Sequence, residues 1–208
     1  SNDQSDPAIT QLSNGNYMVS WQGHSSDEDD NNTWDNGIYG QIITTNGENV
    51  GSEFLINTTT LNNQNNSTIA ALPGGGFVVA WESQNGDESG WGVISQRFSA
   101  DGKKRGSEIL VNKTELNDQR NPSITVLTNG DYLISYQGNN HEDGEGLDVY
   151  ARRFDSAGNA SEDEIRLNET KSGSQEYPEL AALNDGGFIA TWQTTSGDGN
   201  SWGLASQR

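Results

Sequence analysis

Cysteine is absent from the 208 residues, so neither a disulfide framework nor a thiolate metal site can form. Basic side chains are scarce: 11 Lys and Arg stand against 30 Asp and Glu, a formal charge of −19, with a pI near 4.1. That excess repels phosphate backbones and anionic headgroups and excludes nucleic acid as a partner. Hydrophobic residues make up only 30% of the chain, with a mean hydropathy of −0.81. No apolar run approaches the roughly 18 residues of a membrane span, so no membrane insertion is expected, and no signal peptide is visible. Catalytic signatures are missing too. His24 and His141 occupy unrelated positions, and there is no G-x-S-x-G, phosphate-cradling loop or H-E-x-x-H. The sequence predicts no enzyme, although carboxylate pairs are available on paper wherever acid is this abundant.

What is present is a repeat. A unit of about 55 residues recurs almost four times, over 4–63, 64–118, 119–174 and 175–208. Its best-kept block reads ITQLSNGNYMVSWQ from Ile9, IAALPGGGFVVAWE from Ile69, ITVLTNGDYLISYQ from Ile124 and LAALNDGGFIATWQ from Leu180. GIYGQI, GVISQRF, DVYARRF and GLASQR form a second block, and EFLIN, EILVN and EIRLN a third. A glutamine precedes each hairpin, at Gln4, Gln64, Gln119 and Gln175. Low hydrophobicity with high charge would suit a disordered chain, but apolar residues placed this regularly exclude one.

Each unit predicts four short strands in an antiparallel meander. Asn14-Gly15, Gly74-Gly75, Asn129-Gly130 and Asp185-Gly186 join the first two strands, as pairs suited to positive φ at both centres of a type I′ turn. In the second strand Phe77, Val79 and Trp81 share one face while Val78 and Ala80 share the other. Both faces are therefore expected to be covered. Stacked four-stranded sheets of this kind describe an all-β, β-propeller-like fold. A unit of this length is too short for an ordinary sandwich and too long for a solenoid coil. The last repeat is incomplete: the sequence reaches Arg208 inside its third strand, and is expected to be a piece of a longer chain or an unusually closed ring.

The run GGGFVVAWESQNGDESGWGVISQRFSADGKKRGSEILVN from Gly74 resembles repeats of very large secreted bacterial proteins, the calcium-associated RTX or haemolysin-type surface and adhesin-like chains. The resemblance covers all four units. It implies an extracellular, cell-surface bacterial module serving adhesion or surface architecture, with possible dependence on Ca²⁺. The glycine-rich nonapeptide of true RTX calcium rolls is not present, so a calcium site has to be argued from the loops.

The loops between second and third strands hold the unusual chemistry. Asp87, Asp143 and Asp198 fall in register, and the longer first loop holds Asp27, Asp29, Asp30 and Asp35. Ca²⁺ takes six to eight hard oxygen ligands, which short acidic loops with Gly and Asn can supply; a solvated acidic turn is the plain alternative. Trp34, Trp91 and Trp202 stand among polar residues on the same loops, as aromatic platforms for a sugar ring do. For Trp91 and Trp202 the favoured reading is packing against the next blade at the start of a strand. Asn57, Asn112 and Asn168 match the glycosylation sequon in register, yet local side-chain hydrogen bonding at a strand end explains them better. Three functions remain: a calcium-stabilised adhesin module, a carbohydrate-binding propeller with a glycan or cell-surface ligand, and a structural repeat that self-associates through its incomplete end.

Overall fold

A computed structural model describes residues 3–24, 35–87, 89–114, 116–139, 146–196 and 201–208. Each alternating apolar run becomes a strand, and each repeat unit one antiparallel sheet in chain order. The first sheet holds β1 (Gln4–Gln11), β2 (Tyr17–His24), β3 (Asn36–Ile43) and β4 (Asn49–Leu55). The second holds β5 (Gln64–Ala71), β6 (Phe77–Gln84), β7 (Trp91–Phe98) and β8 (Lys104–Leu110). The third holds β9 (Gln119–Val126), β10 (Tyr132–Gly138), β11 (Asp148–Phe154) and β12 (Ala160–Arg166). The fourth has three strands, β13 (Gln175–Ala182), β14 (Phe188–Thr194) and β15 (Gly203–Gln207). The sheets stack face to face as propeller blades, with β1, β5, β9 and β13 touching in succession along the axis.

The turns differ from the type I′ expectation. Gly15, Gly75, Gly130 and Gly186 have φ between 87° and 89°, whereas Asn14, Gly74, Asn129 and Asp185 do not take positive φ. Leu12 N–H bonds to Asn16 O, and Gly15 N–H to Leu12 O. This is a three-residue hairpin loop, a type I turn closed by a left-handed glycine. Asn14 contributes through its side chain instead, its Oδ1 accepting the N–H of Asn16 at 3.1 Å, as an Asx turn does.

Alternation along the second strand fills both sides of a central blade. Toward the first blade, Phe77, Val79 and Trp81 pack on Met18, Ile38, Ile42 and Ile56. Toward the third, Val78, Ala80 and Val93 pack on Tyr132, Ile134, Tyr136 and Phe154. Directly paired aromatics strengthen the second and third sheets. Phe77 stacks on Phe98 at 5.0 Å and Tyr132 on Phe154 at 4.9 Å, each worth about 0.5–1.5 kcal/mol beyond its burial. Coverage on both faces holds for β6 and β10 and fails at the two outer blades. Ile9 is 66% exposed on one and Leu204 85% on the other.

Candidate functional site at the propeller axis

The innermost strands share an irregularity. Two residues after Gln4, Gln64, Gln119 and Gln175, the backbone of Asp6, Asn66, Asn121 and Tyr177 turns to φ of 50–55°. Pairing with the second strand slips at the same place in all four blades. Asn and Asp tolerate this region; a tyrosine there is a genuine outlier. The slip lets one blade grip the next. The N–H of Asn66 donates to Gln22 Oε1 at 3.0 Å, that of Asn121 to Glu82 Oε1 at 2.8 Å, and that of Tyr177 to Gln137 Oε1 at 2.8 Å. Each acceptor directly follows the in-register aromatic of its second strand, Trp21, Trp81 or Tyr136.

Glu82 is the centre of this arrangement. Its side chain is buried, and Oε1 also accepts Asn66 Nδ2 at 2.9 Å. Arg120 lies 3.5 Å from Oε2 and 3.3 Å from Asp118. Asn66 Nδ2 reaches Asn121 Oδ1 at 3.0 Å, linking amides of adjacent blades. The guanidinium of Arg120 sits 4.3 Å above the Trp91 ring, a cation–π contact worth roughly 0.5–1 kcal/mol where exposed. Glu179 on the fourth blade accepts Ser123 Oγ at 2.8 Å. Antiparallel succession brings the start of each first strand to the end that carries the loop between second and third strands. Gln84 N–H, for example, bonds to Asn63 O. Half-buried Asn66, Asn121, Arg120 and Trp91, with exposed Tyr177, thus form a polar mouth with one aromatic platform.

The sequence-predicted site residues distribute unevenly around this mouth. Trp91 opens β7 and packs under Arg120 of the next blade; Trp202, half exposed, lies just before β15. Asp35 accepts the N–H of Asn62 at 3.0 Å, tying two loops together. Asp87 is not an exposed loop carboxylate. It is 2% exposed and accepts Asn112 Nδ2 at 2.9 Å and Ser89 N–H at 3.4 Å. Asp148 plays the corresponding role in the third blade, accepting Asn168 Nδ2 at 2.6 Å. Asp27, Asp29, Asp30, Asp143, Asp198 and Trp34 lie outside the described residues. Among the described residues no group of three or more His, Asp or Glu is placed to hold a metal ion.

The in-register Asn57, Asn112 and Asn168 are buried. Their Oδ1 atoms accept the N–H of Ile38, Val93 and Val149 at 2.8–3.0 Å, and their amides close on Thr59, Thr114 and Thr170 carbonyls. They serve as strand locks. The mouth itself had a signal in the sequence, namely QSDP, QNNS, QRNP and QEYP at the start of each unit. Three of the four prolines immediately follow the left-handed residue.

No protein-family model matches the chain, and no curated protein matches it. Solved structures match over nearly its whole length. A protein of unknown function from Dyadobacter fermentans superposes with a TM-score of 0.70 at 12% identity, covering 99% of this chain and 66% of that one. The α-L-arabinanase of Penicillium chrysogenum complexed with arabinobiose gives 0.66 at 14% identity, covering 98% and 62%. The GH93 α-L-arabinofuranosidase of Fusarium graminearum, also with arabinobiose, gives 0.64 at 13%, covering 98% and 61%. The chain spans just under two thirds of the length of these three proteins. At such identities the shared property is the fold, an all-β propeller of four-stranded blades. These neighbours overturn the resemblance to RTX-type adhesin repeats, and the adhesin function it implied falls with it. The misreading has a physical origin: turn glycines, strand-end asparagines and alternating apolar residues are what any short-turned meander needs.

Proposed function

We propose that the axial mouth binds an oligosaccharide and holds it without cleaving it. The observation that carries this is the alternation of amides around the mouth, Asn66 and Asn121, beside the Arg120–Trp91 platform. With Asn66 Nδ2 spent on Glu82 and Asn121, Asn66 Oδ1 supplies an acceptor and Asn121 Nδ2 and the Arg120 guanidinium supply donors for vicinal hydroxyls, and a flat ring supplies the apolar face. Two propellers of like fold were solved with arabinobiose, which supports a glycan as the ligand class. Against cleavage stands the state of Glu82: Oε1 is engaged by Asn66 and Asn121 and Oε2 faces Arg120. Hydrolysis by the two-carboxylate route needs one carboxyl free to deliver a proton and a second free to attack or to activate water.

Titration calorimetry with linear arabino-oligosaccharides tests the reading. Binding is expected in the wild type and is expected to fall at least about tenfold in Arg120→Ala, the loss of one charged contact of roughly 1.5–3 kcal/mol. Absence of binding across neutral oligosaccharides by the folded protein would remove the proposal. Release of reducing sugar that disappears in Glu82→Gln would replace it by a hydrolase.

A further inference from the structure

A second cluster lies away from the axis, between the second and third blades. Arg97 of β7 and Arg105 of β8 are direct cross-strand partners, so both side chains stand on the same face of the sheet. Like charges placed opposite each other destabilise an antiparallel pair. In a chain with 30 acidic residues, neutralisation is close at hand, yet neither guanidinium has an ion-pair partner among the described residues. The other blades solve the same position differently. In the first blade it is apolar, Ile42 opposite Val50. In the third, Arg153 is neutralised by Asp131 at 2.6 Å. Only in the second blade, among the described residues, is positive charge gathered there and left uncompensated.

The two arginines border open clefts of about 550 and 400 Å³. The larger is lined also by Ser95, Ser107, Tyr132 and Asn159, and no Asp or Glu lines either cleft. Arg97 is fixed in place: its terminal nitrogens donate to the carbonyls of Ser156 and Ala157 on the third blade, while its buried Nε has no partner. Gly158 (φ 94°) leaves room for that guanidinium, which an added Cβ would strike. Arg105 is exposed and brings a full fork of donors. A fixed guanidinium, a second one beside it and two serine hydroxyls suit a group with several acceptor oxygens and negative charge.

We propose that Arg97 and Arg105 form an oxyanion-binding site in this interblade cleft. Its ligand is a carboxylate or sulfate group, either free or carried on an acidic sugar, which a cleft of this volume accommodates. The site is separate from the axial mouth and does not depend on the function assigned there.

Thermal unfolding in sodium chloride, sodium sulfate and sodium galacturonate at matched ionic strength tests it, with Arg105→Gln as the comparison. Arg97→Gln would also remove the carbonyl contacts, so exposed Arg105 is the cleaner choice. In chloride, Arg105→Gln should melt at or above the wild-type temperature, because the like-charge pair is relieved. Sulfate or galacturonate should raise the wild-type melting temperature by several degrees at saturation and leave Arg105→Gln behind. Equal shifts by the two anions assign recognition to the charged group alone; a larger shift by galacturonate assigns it to the sugar that bears it. Sulfate also stabilises proteins by exclusion from their surfaces, an effect common to both variants. Equal shifts in wild type and Arg105→Gln, no shift in either, or a fall in stability of Arg105→Gln in chloride would each overturn the proposal.

Discussion

The indole N–H of Trp81 donates to Gln64 Oε1 at 3.1 Å, with both side chains buried. Trp192 and Gln175 repeat the bond at 3.1 Å. In the third blade the aromatic is Tyr136, and Gln119 Oε1 accepts the Asn112 amide instead. The Tyr136 hydroxyl is left buried without a partner, and in the first blade the lock is open as well: Gln4 is exposed and Trp21 Nε1 has no partner. Gln64→Leu should therefore cost about 1–3 kcal/mol, the penalty of an orphaned buried donor. Gln4→Leu should stay within about 0.5 kcal/mol of wild type. Urea unfolding of the two variants decides it, and equal losses would mean that the lock contributes nothing.

Position in the stack, and not residue type, sets the worth of the third-strand apolar residue. Ile38, Val93 and Val149 pair with Gln22, Glu82 and Gln137 and are each 0% exposed, while Leu204 pairs with Gln193 and is 85% exposed. Val149→Ala should destabilise by about 1–3 kcal/mol through lost burial and the cavity left behind. Leu204→Ala should change stability by no more than about 0.5 kcal/mol. A matching loss at Leu204 in denaturant titrations would show that this face is covered in solution.

The blade was legible in the sequence because its determinants are local. Period-two alternation gave the strands, Gly at fixed offsets gave the turns, and recurrence of Trp21, Trp81, Tyr136 and Trp192 gave the stacking. The axial mouth left only the short pattern after each leading glutamine, since it depends on a backbone slip that brings Asn66, Glu82 and Asn121 together from three strands of two adjoining blades. The surroundings of Asp87 were not legible either. As a letter it belongs to an acidic loop; in space the Asn112 amide draws it inside. The Arg97–Arg105 pair needed the register of two strands to become visible, because the turn between β7 and β8 separates the two residues in the chain and a bulge shifts their pairing.

Tyr177 holds φ at 54°, where Asn66 and Asn121 occupy the equivalent points of their blades. A bulky side chain there is strained, and asparagine accommodates the same backbone through its short polar group. Tyr177→Asn should accordingly stabilise the fold by about 0.5–1 kcal/mol. Strain of this kind persists where it serves a site, and the ring is half exposed beside the mouth. The same variant should therefore bind oligosaccharide more weakly. A gain in stability with unchanged binding would leave Tyr177 without a role in recognition; a loss of stability would contradict the strain itself.

Glu164 gives the fold a pH dependence of opposite sign to that of ordinary paired carboxylates. Burial pushes its pKa above the usual value of 4.5, against a smaller opposing effect from the Lys113 backbone N–H. One of its oxygens is buried without a partner. Glu108 holds the equivalent position in the preceding blade, accepting the N–H of Thr58. A group whose folded pKa is raised binds its proton more tightly in the native state, so stability is lost as pH rises from the unfolded value through the folded one. Gln at this position keeps an acceptor for Lys113 and carries no charge to desolvate. Glu164→Gln should be more stable than wild type at pH 7, with the difference closing as pH falls below about 4.5. Paired urea titrations across that range measure the gap. A variant less stable than wild type at pH 7 would show that the charge on Glu164 is held by favourable contacts and that burial is not the dominant effect.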